Sequence, residues 1–123
     1  MNQFKKLIVW QKSMLLAKIV FTLTDKLPVK EKFGLISQIN RCTVSIPSNI
    51  AEGSGRNSTK EYCYFLSISL GSAFELETQL LLCIELKYLR KEEITETMNL
   101  IHEIQKMLNS LQRKLNPILS TKY

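Results

Sequence analysis

Ser45-Ile46-Pro47-Ser48-Asn49-Ile50-Ala51-Glu52-Gly53-Ser54-Gly55-Arg56 sets a proline, two glycines and an Asn/Glu/Arg trio between two stretches of helical periodicity. Leu35, Ile39, Cys42, Ile46 and Ile50 recur at threes and fours, so a helix enters this segment with one apolar face. A proline inside a helix removes one backbone hydrogen bond and costs about 3 kcal/mol. The helix must therefore either kink at Pro47 or be compensated there by the neighbouring Ser, Asn and Glu side chains. Gly53 and Gly55 read as its end. Ser58-Thr59-Lys60-Glu61 then has the spacing of a capping box, with the Ser58 hydroxyl accepting from the Glu61 amide and the Glu61 carboxylate reaching back, so a new helix starts there.

Working outward, the first periodic segment carries Leu7, Trp10, Met14, Ala17 and Phe21, with Ile8, Leu15, Ile19 and Leu23 widening the stripe. That is broader than one partner face needs, and it predicts a helix with two buried sides. Leu27-Pro28 ends it, because the residue before proline is driven out of the helical region. The helix from Ser58 continues with Tyr62, Phe65, Ser69, Ser72, Ala73, Leu76, Leu80 and Cys83, and Gly71-Ser72-Ala73 forms a narrow waist suited to close helix approach. The last helix carries Ile94, Met98, Ile101, Ile104, Leu108, Leu111 and Leu115 until Asn116-Pro117 breaks it. Helices over about 5–26, 30–54, 58–86 and 91–115, joined by short loops, predict an all-α, antiparallel up-and-down four-helix bundle forming a single domain over 1–123.

The segment Ser45–Arg56 resembles the signature of the four helix bundle proteins encoded in the intervening sequences of some bacterial 23S ribosomal RNA genes, a family that includes the accessory proteins of diversity-generating retroelements. Dispersed matches in the right order extend the resemblance: Leu7-Ile8-Val9-Trp10-Gln11-Lys12, Gly34-Leu35, Gln38-Ile39, Phe65-Leu66, Gly71-Ser72-Ala73 and Glu75-Leu76-Glu77-Thr78-Gln79-Leu80. It implies a homopentamer of four-helix protomers assembled as a ring, a basic surface that engages nucleic acid, and in some members a reverse transcriptase as partner. It implies no known reaction. Two positions depart from the family pattern. Asn40 stands where relatives often carry the first arginine of an Arg-Arg pair, leaving Arg41 alone. Lys87-Tyr88-Leu89-Arg90 lacks the glycine common after the third helix, so the ends on either side of this link are expected to fray.

At 123 residues the chain can bury one core, and it is small enough that oligomerisation would help cover apolar surface. Cys42, Cys63 and Cys83 are odd in number, lie in apolar helical patterns and form no C-x-x-C pair; with no secretory leader, they read as reduced core thiols in a cytoplasmic protein. The longest uncharged stretch, Tyr62 to Phe74, is too short to span a bilayer, so no membrane role is expected.

The net charge of +6 is uneven. Residues 1–60 hold ten Lys/Arg against three acids, +7, and residues 61–123 hold seven against eight, −1. Such asymmetry favours attraction to polyanions. Lys12, Lys18, Lys26, Lys30, Lys32 and Arg41 are the candidate nucleic-acid contacts. Phe4, Trp10, Phe21 and Phe33 are spaced for burial more than for base stacking, so binding to RNA or DNA should be backbone-directed with little sequence preference.

Catalytic constellations are not legible. His102 is the single histidine, residue 99 is Asn rather than Glu, and the paired Glu-x-x-His motifs of di-iron bundles cannot form, so neither a metal nor a cofactor is expected. Ser45 and Ser48 lack a local base, Glu75 and Glu77 point about 200° apart on a helix, and no phosphate-cradling G-x-x-x-x-G-K-[ST] loop is present. Arg56 has two readings: an anion contact at a glycine-rich helix end, or a brace paired with Glu52 or Glu61 while Asn49 satisfies freed backbone. The brace is preferred, because a charge buried at a helix junction must be paired. Pro47, Asn49, Glu52, Gly53, Arg56, Ser58 and Glu61 are thus assigned to structure. The resulting expectation is a non-enzymatic, nucleic-acid-binding accessory protein; the alternative is a protein-interaction scaffold that docks a reverse transcriptase or another partner.

Overall fold

A computed structural model describes residues 3–116, and among them every regular element is helical. A 3-10 turn, Phe4–Lys6, precedes α1 (Ile8–Thr24); a second 3-10 turn, Val29–Glu31, leads to α2 (Leu35–Ser54); α3 (Thr59–Glu85) and α4 (Lys91–Leu115) complete the fold. The expected break at Pro117 lies outside the described residues.

Side-chain hydrogen bonds fix the neighbours and their directions. Thr24 donates to Asn40 Oδ1 at 3.3 Å, which joins the end of α1 to the first half of α2. Ser69 donates to the Ile46 carbonyl at 2.9 Å and Cys42 Sγ to Gln79 Oε1 at 3.1 Å, so α3 runs back along α2. Gln112 Nε2 donates to the Cys63 carbonyl at 3.1 Å and Gln105 Nε2 to Glu77 Oε1 at 2.8 Å, so α4 runs back along α3. Lys12 and Lys26 reach Glu103 and Glu93, each at 3.0 Å, and close α4 onto α1. The four helices therefore alternate in direction around one core.

The core holds Leu16, Val20, Ile39, Ile46, Ile50, Leu66, Leu76, Leu80, Ile101, Ile104 and Leu108, all fully buried. The apolar faces expected on α2 and α4 supply most of it. α1 behaves differently from the expectation of two buried sides. Its buried face is Val9, Ser13, Leu16, Val20, Leu23 and Thr24, whereas Ile8, Met14, Leu15 and Phe21 remain exposed. One side of the apolar stripe is thus left open to solvent in the folded chain.

Helix ends show local causes. Extended backbone at Leu7 (φ −72°, ψ 124°) separates the first 3-10 turn from α1, so this helix starts at residue 8 rather than 5. α2 begins at Leu35 rather than near Lys30, because Gly34 is non-helical (φ −106°, ψ −106°) and the Glu31 carboxylate is turned to accept from the Leu35 amide at 3.3 Å. The other Glu31 oxygen accepts from the Tyr88 hydroxyl at 2.8 Å, tying this connection to the α3–α4 link. The ends on either side of that link, expected to fray, are held by specific contacts. Lys87 takes a left-handed conformation (φ 63°), Leu89 is buried, and the Glu93 carboxylate accepts from the Arg90 amide at 2.8 Å. At α3, Ser58 accepts from the Glu61 amide at 3.1 Å, the first half of the expected capping box.

α2 runs through Pro47 without interruption. Asn49 Nδ2 donates to the Ser45 carbonyl at 2.8 Å and to Ser45 Oγ at 2.9 Å, and Ser72 Oγ donates to Ser45 Oγ at 2.8 Å. Pro47 has no N–H to offer the Thr43 carbonyl four residues earlier, whereas these bonds go to Ser45; they tie the proline turn to Asn49 and to α3 and do not provide the expected replacement for the lost bond. Glu52 takes no part and pairs instead with Arg56. Gly53 corrects another expectation: it lies inside α2 and is buried, and an added Cβ would meet Phe65 Cβ at 2.8 Å. It is a close-approach residue, and Gly55 caps the helix with φ −89°. Conversely, the Gly71-Ser72-Ala73 waist admits α2 only through Ser72 and Ala73; Gly71 faces outward with nothing within 4 Å.

Candidate nucleic-acid interface

The six candidate contacts do not share a face. Lys12 and Lys26 lie on the α1–α4 seam, and each is engaged by a carboxylate of α4 at 3.0 Å. Glu93 is held below the usual carboxylate range, first by the Arg90 amide and then by Lys26. Lys18 borders an apolar groove between α1 and α2. Lys30 and Lys32 are exposed in the α1–α2 connection, where the Lys32 ammonium sits 5.5 Å from the centre of the Phe33 ring. Arg41 borders a polar groove between α2 and α3, together with Gln38, Ser45 and Glu75. The four helices carry these cations to different sides of the bundle.

Arg56 and Glu52 form the expected pair at 3.1 Å, but their side chains are 42% and 54% exposed. The argument from a buried charge therefore does not apply. The Arg56 guanidinium also lies 4.8 Å from the centre of the Phe65 ring, so the turn into α3 is covered by a cation on an aromatic face.

The groups able to do covalent chemistry are held away from it. All three cysteines are free and buried. Burial, followed by the charge of Glu75, pushes the Cys42 thiol up to about 12, and burial followed by Glu31 pushes Cys83 to about 11. Burial raises Cys63 as well. A thiol so shifted carries almost no thiolate at neutral pH and is a poor nucleophile. His102 Nε2 meets Glu77 Oε2 at 3.0 Å on the exposed α3–α4 seam. Glu77 is lowered first by Gln105 and then by this histidine. Among the described residues no group of three His, Cys, Asp or Glu side chains is placed to hold a metal ion, and no helix is long and apolar enough to cross a membrane.

Two apolar surfaces are left open, and the second of them was not foreseen from the sequence. The first is the α1–α2 groove, about 600 Å³, lined by Trp10, Met14, Ala17, Phe21, Val44 and Pro47 among others. The second is the outer row of α3, where Tyr64, Phe74, Leu81, Leu82 and Leu86 are exposed. The breadth of the α1 stripe signalled the first. Nothing in the periodicity of α3 separated its outer row from its core face.

An all-α chain of four helices that alternate in direction around one core is the class these features define. Residues 5–110 match the 23S rRNA-intervening sequence protein family, and the chain belongs to that family. It is similar to a protein of unknown function from the S23 ribosomal protein family of Bacteroides thetaiotaomicron VPI-5482, whose crystal structure at 1.70 Å superposes with a TM-score of 0.78. The two are 33% identical over 86% of this chain and 99% of that one. No curated protein matches the chain.

Proposed function

We propose that this chain is a non-enzymatic, nucleic-acid-binding accessory protein of the cytoplasm that works as a homo-oligomeric ring, a pentamer by family resemblance. The observation that carries the binding role is positive charge left uncancelled by folding. Lys12, Lys26, Arg56 and Arg90 form ion pairs, and the other Lys and Arg side chains among the described residues form none. A chain of net charge +6 that spends so few cations internally presents a field to polyanions. The family's description ties it to an intervening sequence of 23S rRNA, which supports a ligand of RNA or DNA.

Assembly is supported by the two apolar surfaces. They are different surfaces on different sides of the protomer, so contact between copies would be head-to-tail, the geometry that closes rings. Lys18 borders the groove and Glu75 and Glu85 flank the α3 row, so the charges are complementary as well.

The second reading, a scaffold that docks a reverse transcriptase, is favoured by the same apolar surfaces. Salt separates the two. Phosphate binding weakens with a slope of log affinity on log salt of roughly −0.7 to −0.9 per contact, whereas an apolar protein interface is nearly indifferent. Titration of a labelled RNA or DNA probe should show binding at about 50 mM salt that falls steeply by about 200 mM. Absence of binding at the lower salt would leave the scaffold reading in its place.

A further inference from the structure

The sequence puts the charge in the first half of the chain; the fold moves it to one end of the bundle. Alternating helices bring the Phe4–Lys6 turn, the end of α2, the start of α3 and the end of α4 to the same pole. The registers fix this. Lys12 faces Glu103, Gln112 reaches Cys63 and Ser67 at 3.1 and 2.7 Å, and Arg56 covers Phe65. Lys5, Lys6, Arg56, Lys60, Arg113 and Lys114 are all exposed at this pole. Segments 3–6, 52–61 and 110–116 together hold those six cations against two acids, Glu52 and Glu61, a surplus of +4. The opposite pole, segments 25–34 and 85–93, has six cations against five acids, and the waist between them has four against four.

Helix electrostatics accounts for only part of this. Arg113 and Lys114 lie in the last turn of α4, where cations complement the helix dipole. Lys60 lies in the first turn of α3, and Lys5 and Lys6 stand just before α1, where the dipole opposes them. Those three also lack ion pairs, as do Arg113 and Lys114; only Arg56 has a partner, Glu52. At the other pole, Lys26 and Arg90 share Glu93. Gathering unpaired like charges at positions the helices disfavour costs stability, and a polyanion would offset that cost.

Resting on the nucleic-acid reading above, we infer that this pole is the binding face, and that Lys5, Lys6, Lys60, Arg113 and Lys114 contact the phosphodiester backbone of RNA or DNA. Of the aromatics nearby, Phe4 packs edge-on to Trp10 at 5.2 Å and Tyr64 edge-on to Phe65 at 5.3 Å, with Tyr64 still exposed to solvent. Backbone contact by lysine ammonium groups carries no sequence information.

Two variants of equal net charge test the assignment. One replaces Lys5, Lys6, Lys60 and Lys114 with Gln; the other replaces Lys30, Lys32, Lys87 and Lys91, at the opposite pole, with Gln. All eight are exposed, and circular dichroism and light scattering are used to check that each variant keeps the parent's fold and mass. Fluorescence anisotropy with a labelled single-stranded RNA and a DNA duplex, at several salt concentrations, should show the first variant weakened by roughly tenfold or more, with a salt slope shallower by about 3 to 4. The second should stay within about threefold of the parent protein. Comparison of the two probes tells RNA from DNA, and the same pole dependence on either supports the inference. Equal losses in both variants, or loss in neither, would overturn the pole while leaving nucleic-acid binding intact. No binding of either probe by the parent protein would overturn both.

Discussion

Gly53 has room for a hydrogen and for nothing larger. A Cβ there would lie 2.8 Å from Phe65 Cβ and 3.2 Å from the Tyr62 carbonyl, so α2 and α3 would have to separate. Gly53→Ala is therefore expected to lower unfolding free energy by about 1 to 3 kcal/mol in a denaturant titration, the range of overpacked cores. Gly71, also helical, should behave oppositely. It has nothing within 4 Å, and Gly71→Ala should gain up to about 1 kcal/mol; a loss would mean that another copy packs on that position. The exposed Arg56–Glu52 pair predicts that Arg56→Ala costs about 1 kcal/mol or less, where a buried pair would have cost several. A melting temperature displaced as far as that of a core truncation such as Leu66→Ala would restore the brace reading.

Three glutamates hold elements together. Glu31 joins the α1–α2 connection to Tyr88, Glu77 joins α3 to α4 through Gln105 and His102, and Glu93 ties the start of α4 to Lys26. All three carboxyls are lowered, by Tyr88, Gln105 and the Arg90 amide respectively as the leading causes. A carboxyl whose pKa is depressed in the folded state stabilises the fold above its unfolded value, about 4.3, and loses that contribution as pH falls through the lower folded value. The melting temperature should accordingly be flat from about pH 7 to 5 and fall below about 4.5. Glu31→Gln and Glu77→Gln should each shallow that fall, which separates these bonds from general acid repulsion. A parent curve already falling between pH 7 and 5 would contradict it.

At the level of the whole molecule, the solvent-exposed side of α1 and the outer row of α3 are the surfaces a ring would use. Light scattering after size exclusion should give a mass several times that of the 14.2 kDa chain. Phe21→Glu in the groove and Leu81→Glu on the α3 row should each reduce it, since both side chains are exposed in the protomer and a buried unpaired carboxylate is unfavourable at any apolar contact. A monomeric parent at micromolar concentration would remove the ring, and the basic pole would then act as a single end with a surplus of four charges.

The helices themselves were legible because periodicity, Pro28, the Ser58 cap and the glycines act locally, within a turn or two of chain. α4 was read over the range it occupies, and the apolar positions of α2 are the ones it buries. Gly53 was misread because a glycine that ends a helix and one that admits another helix look alike until the second helix is in place. The α3–α4 link looked poorly capped because the glutamate that anchors Tyr88 lies 57 residues earlier. Charge shows the same division most plainly: the sequence determined how many cations there are and that they outnumber the acids. Only the alternation of helices decided that cations from residues 5 to 114 meet at one pole while Lys12 and Lys26 are neutralised by α4, because electrostatic interaction depends on distance in space and not along the chain.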